Sequence, residues 1–258
     1  MPISEEIEAI VNESGNSFHC RVTNYLKTKG WSTLVSPYYM DGGTNKPREI
    51  DLIAEKHWIF DGRHPDQYGA VIIKLFIECK YIPQPNVFWF SDKDTAAATK
   101  WLVSNTPLTA NNMFTKRHHY LASGSRVAKL FASKNKPNAE NEVIYKALNQ
   151  SLNAMVYLRG KESLIPDIES GRIPTLACIE MPVVFCNSFA DFYRVEMESS
   201  STPQHLDENF QLEVNYAYLD INEKQRNDYF LLDIVDFEKI DGYLNVLEAD
   251  KEAIFQIL

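Results

Sequence analysis

Near the start of the chain apolar side chains recur at helical spacing: Ile7, Ile10 and Val11 within 4–12, then, past Gly15, Phe18, Val22, Tyr25 and Leu26 on one face. Gly30 fits the C-terminal cap of this second helix. The period then changes to that of a strand. Trp31 to Tyr38 is rich in β-branched and aromatic residues, and Asp41-Gly42-Gly43 and Asn45-Lys46-Pro47 supply turn chemistry. Arg48 to Glu55 predicts a second strand, 56–69 a connection that is partly extended, and Val71 to Ile82 the most strongly marked strand of all. Beyond Pro83 and Pro85, residues 93–103 predict a helix, 115–136 form a basic stretch, and Pro137-Asn138 open a long helix to about Arg159. Strands are expected at 174–187, 191–198, 209–221 and 229–237, and a short helix at 248–257. No internal repeat interrupts this order, which reads as mixed α/β with a central sheet.

Composition narrows the picture. A chain of 258 residues that is 45% hydrophobic, with 14 Phe and 13 Tyr, can bury a core without staples. Cys20, Cys79, Cys178 and Cys186 include no Cys-x-x-Cys pair and have no histidine placed near two of them, which argues against a structural zinc site. The N-terminus lacks a basic region followed by an apolar run, and no apolar stretch approaches the ~20 residues of a spanning helix. A cytoplasmic protein that makes no use of a membrane is expected.

The net charge of −9 is unevenly placed. Residues 190–258 hold 16 Asp/Glu against 5 Lys/Arg, a net −11, which leaves +2 for 1–189. An acidic balance argues against a protein that coats nucleic acid, and here the argument bears mainly on the C-terminal part. The expected organisation is a core over about 1–187 with a basic insertion at about 92–136, and an acidic, β-rich extension at 188–258 packed on it.

Candidate chemistry sits where charge invades apolar strands. Asp51 is flanked by Ile50, Leu52 and Ile53, and Glu78 and Lys80 interrupt the run from Val71 to Ile82 on one face, since strand side chains alternate. Buried charges of this kind are usually paired or metal-bound. If the two strands pair, Asp51 and Glu78 converge on one hard cation, with the Cys79 carbonyl as a third oxygen. Magnesium suits such a set, with manganese as a substitute. Lys80 would orient a water or meet developing negative charge.

Asp51, followed by Glu78-Cys79-Lys80 at the end of the next clear strand and preceded by a helix ending at Gly30-Trp31, resembles the PD-(D/E)XK nuclease superfamily, the restriction-endonuclease-like fold. The resemblance covers roughly residues 13–82. It implies a four-stranded mixed sheet flanked by helices, and metal-dependent cleavage of DNA, with RNA not excluded. It further implies that Asp51 and Glu78 are metal ligands and that Lys80 is the catalytic lysine. Many members carry a Glu on the first helix, where Gly15-Asn16-Ser17-Phe18-His19 places His19; Glu13, a turn earlier, is the substitute. Glu49 alternates with Asp51 and is a candidate auxiliary, as is Gln150, which shares a helix face with Tyr157.

Lys116, Arg117, Arg126 and Lys129 are candidate phosphate contacts, against the plainer reading of a solvated face. His118 and His119 are adjacent, so on a regular element they point apart and are not assigned as ligands. The acidic C-terminal face is a candidate docking surface for a protein partner. The alternative to a nuclease is a catalytically inactive member of the fold, a nucleic-acid-binding or protein-interaction subunit whose carboxylates and lysine satisfy one another. No P-loop, Gly-x-Ser-x-Gly or His-Glu-x-x-His motif points elsewhere.

Overall fold

Helix α1 (Gly15–Thr28) buries Phe18, Val22 and Leu26 and stops where Gly30 takes a φ of 80°. The Gly30 and Trp31 amides then donate to the Lys27 and Leu26 carbonyls at 3.1 Å each, the paired bonds of a Schellman ending. The computed structural model describes residues 7–8, 10–11, 15–62, 67–82, 84–133, 143–199, 202–220 and 224–258. Glu13, most of the helix expected at 4–12 and the expected helix start at 137–138 lie outside them.

After α1 come β1 (Ser32–Val35), β2 (Tyr38–Asp41), β3 (Lys46–Glu49), β4 (Leu52–Asp61), β5 (Tyr68–Lys80), β6 (Asn86–Asp92) and α2 (Thr95–Asn105). The short α3 (His119–Ala122) leads into β7 (Arg126–Ser133), α4 (Val143–Leu158), α5 (Pro166–Glu169), β8 (Thr175–Cys186) and β9 (Phe192–Glu196). The chain ends with β10 (Gln204–His205), β11 (Phe210–Leu219), β12 (Gln225–Asp236) and α6 (Ile240–Phe255). Among the described residues ten strands form one mixed sheet in the order β1-β4-β5-β8-β12-β11-β7-β6-β9-β10, and β2 pairs with β3 as a separate hairpin.

Strand β5 is buried from Gly69 to Cys79, as its apolar run requires of a strand covered on both faces. Helix α4 covers the face that carries Lys80, which Gln150 reaches. Helix α6 covers the other, where Glu248 pairs with Lys56 at 2.9 Å, because Lys56 stands opposite Ile73 and alternate residues point to opposite faces. Phe18 and Tyr25 of α1 pack edge-on against Phe237, just before α6.

Three expectations change. The strand expected over 48–55 is split: β3 ends at Glu49, and β4 starts at Leu52 and runs on through the predicted connection to Asp61, paired with β5 throughout. The basic stretch contributes β7, an interior strand between β6 and β11. The boundary expected at 187 crosses the sheet, since β12 pairs in parallel with β8 from Asp233↔Val183 to Asp236↔Cys186. One apolar cluster takes Val22 and Leu75 together with Leu232 and Ile254. The C-terminal part is thus built into the sheet and the core.

Candidate active site

The register of the β4–β5 hairpin builds the site. Leu52 stands opposite Ile77, so one step further Asp51 faces Glu78. The contacts agree: the Asp51 amide donates to Glu78 Oε1 at 3.3 Å, and the Cys79 amide donates to Asp51 Oδ2 at 2.8 Å. Asp51 lies in the bend before β4, not within a strand. Ser36, held at a φ of 50°, donates its amide to the Asp51 carbonyl at 2.9 Å and fixes that bend.

Lys80, two residues beyond Glu78 on the same face, hydrogen-bonds Glu78 Oε2, lies 3.7 Å from Asp51 Oδ2 and reaches Gln150 Oε1 at 3.4 Å. The Glu78 side chain is fully buried, while those of Lys80 and Asp51 are 18% and 27% exposed. An ion or substrate can therefore approach through Asp51 and Lys80 but not through Glu78 alone. The ammonium already bridges two carboxylates, as a cation must when they face each other across a hairpin. In a strand the amide and carbonyl of one residue point to the same edge, so the Cys79 carbonyl faces the Asp51 side. Two carboxylates and a carbonyl make an all-oxygen donor set of the kind magnesium takes, completed by water.

Burial pushes the Glu78 carboxyl up to about 8, against the pull of the Lys80 ammonium. A raised folded-state value means that this group's stabilisation is present below the unfolded carboxylate range and is lost as pH rises through 8. Metal-free protein is therefore expected to lose stability between pH 5 and 8, and Glu78→Gln to flatten the slope. Melting temperatures of both chains in chelator across that range test it. Parallel curves would show that Glu78 keeps its charge throughout.

The other candidates are distributed as follows. Gln150 joins the site. Tyr157, on the same face of α4, stacks on Tyr39 with centroids 6.3 Å apart. It also fills the space that a side chain at Gly42 would need, since a Cβ there would lie 2.8 Å from the Tyr157 ring; α4 thereby holds the β2–β3 hairpin beside the carboxylates. Glu49 belongs to that hairpin, where hydrogen bonds from Ser36 and Tyr38 hold it below the usual carboxylate range. His19 is half-buried on α1 and lies near enough to contribute to that lowering.

The expected phosphate contacts divide. Arg126 pairs with Asp92 at 3.1 Å and with Glu196 and Glu198, and Lys129 with Glu213 at 2.7 Å. Their charge is taken up within the fold. Lys116 and Arg117 are exposed, with Arg117 over the Phe114 ring. Sequence reading missed two buried polar groupings: Glu55 with Lys74, and His118 and His119 with Asp250. Lys74 interrupts the β5 run as Glu78 does, which was the available signal. Nothing in the spacing of Asp250 could have linked it to the histidines.

No family model, curated protein or solved structure matches this chain. Among the described residues no helix is long and apolar enough to cross a membrane.

Proposed function

We propose that the protein is a metal-dependent phosphodiesterase acting on DNA, built on a PD-(D/E)XK-type core. The observation that carries the reading is the Asp51–Glu78 pair facing each other across the hairpin with Lys80 between them. Two further features support it. β1, β4, β5 and β8 are adjacent in a mixed arrangement, with α1 on one face and α4 on the other. Gln150 of α4 meets the lysine.

In this reading Asp51, Glu78 and the Cys79 carbonyl hold magnesium, which when bound polarises the phosphate and acidifies a water. Lys80, steadied by Gln150, donates hydrogen bonds to the attacking oxygen and to the charge that grows on the phosphate. Asp51 keeps its Oδ2 on the Cys79 amide, so its carboxylate stays at the strand end. Glu78 anchors the ammonium from the buried side.

Gln150→Leu is expected to leave the fold intact and lower kcat by about 10-fold or more, in the range of other positioning groups, with KM little changed. Steady-state cleavage of plasmid and linear DNA with magnesium, manganese and chelator tests both statements. Metal-independent cleavage would remove the metal from the reading, and no cleavage by folded wild type would shift it to a binding subunit whose Asp51, Glu78 and Lys80 form a structural ion-pair set.

A further inference from the structure

His118 and His119 do not sit on one regular element. His118 is the extended N-cap of α3 and His119 its first helical residue, so their rings stack with centroids 4.9 Å apart instead of pointing apart. Asp250, fully buried on α6, meets both. Its Oδ1 accepts the His119 amide at 2.8 Å, its Oδ2 contacts His119 Nδ1, and the same oxygen lies 3.6 Å from His118 Nε2. One ligand atom from each of the three lies within 4.8 Å of the others.

On the far side of its ring, His119 Nε2 is 3.0 Å from Asp233 Oδ2. Asp233 in turn accepts from Gln211 at 3.3 Å and from the Tyr243 hydroxyl at 3.2 Å. His118 is completely buried, and its Nε2 has no hydrogen-bond partner. A buried polar atom left without a partner is costly.

We propose that His118, His119 and Asp250 bind a divalent first-row transition-metal ion, with Asp233 as a positioning residue. Two imidazoles and a carboxylate are the donor set of zinc and ferrous sites, and a poor one for magnesium. The unpartnered Nε2 is aimed at the carboxylate that the ion would share. Asp233 gives His119 the carboxylate–histidine backing that orients metal-binding rings. A cavity of about 520 Å³ is bordered by His119, Asp233 and Tyr243, on the Asp233 side of the His119 ring. The bound ion would tie α6 to the start of α3 without any cysteine.

Loading has a proton balance that can be observed. The Tyr120 amide donates to His118 Nδ1 at 3.2 Å, so in the metal-free protein the ring proton is on Nε2. Coordination through Nε2 moves that proton to Nδ1 and gives up the long cap bond, and His119 releases its Nδ1 proton to solvent.

The test uses the full chain, dialysed against chelator, titrated with zinc, desalted and assayed for retained metal, with imidazole ¹⁵N spectra recorded in parallel. Wild type and Asp51→Asn are expected to retain zinc equally, which separates this site from the proposed active site. His118→Phe should retain none, and Asp233→Asn should bind about 10–100-fold more weakly. The His118 proton should move from Nε2 to Nδ1 on loading. Wild type that emerges without metal and with an unchanged His118 spectrum overturns the proposal, as does equal retention by folded His118→Phe. If His118→Phe does not fold, the wild-type spectrum decides.

Discussion

Lys80→Ala is expected to lower kcat for phosphodiester cleavage by about 10²–10³-fold, a barrier increase of about 2.7–4 kcal/mol, and Asp51→Asn by at least as much. The two variants fail for different reasons. Lys80→Ala removes a donor from the reacting oxygens and leaves Glu78, fully buried, without its cation. Asp51→Asn removes charge but keeps an oxygen that can accept the Cys79 amide, a bond of 2.8 Å in the wild type, so the strand end keeps its geometry. Excess metal is therefore expected to recover part of the Asp51→Asn activity and none of the Lys80→Ala activity. Cleavage rates over a magnesium titration, with melting curves to confirm folding, measure this. Wild-type rates in either folded variant would remove both residues from the chemistry.

The site was legible because strand alternation and one register step are enough to place Asp51, Glu78 and Lys80 together, given only that the two strands pair. The elements with a strong period, α1, β5, α4, β8, β11 and β12, were legible for the same reason. Strands β6 and β7 were not. In β7 the apolar residues Val127, Leu130 and Phe131 keep no strict alternation with Arg126 and Lys129, and its charge reads as surface until the partners are known. Those partners are the acids of the C-terminal part: Glu196 and Glu198 on Arg126, Glu213 on Lys129. The basic stretch and the acidic tail supply strands to the same part of one sheet, and a linear charge count separates what the fold pairs. The domain boundary at 187 followed from that count and falls with it. The histidine grouping was hidden for a related reason: residues 118–119 and 250 meet only through the packing of α6.

Glu55→Ala is expected to destabilise the protein by about 3–5 kcal/mol and to lower the melting temperature by roughly 10 °C. Glu55 stands opposite Lys74 in the register that sets Asp51 against Glu78, four residues along each strand and on the same face. There the resemblance to the proposed active site ends. The Lys74 ammonium makes three contacts, with Glu55 Oε1 at 2.7 Å and the Lys161 and Glu162 carbonyls at 3.3 and 3.2 Å, one for each of its protons. Glu55 Oε2 accepts from the Ser163 hydroxyl at 2.8 Å and the Leu164 amide at 2.7 Å. Both side chains are at most 5% exposed. Removing the carboxylate strands a buried cation and frees the segment that it clips, whereas Glu55→Leu with Lys74→Met should recover most of the loss, because the pair's desolvation cost disappears with it. Denaturant unfolding of Glu55→Leu, Lys74→Met and the double variant gives the coupling energy. A cost below about 1 kcal/mol for Glu55→Ala would mean that water reaches the pair. The contrast also explains why chemistry is assigned to the strand end and not to its middle. Lys74 has no donor left to offer, while Lys80 keeps an exposed edge beside a carboxylate that a metal ion can share.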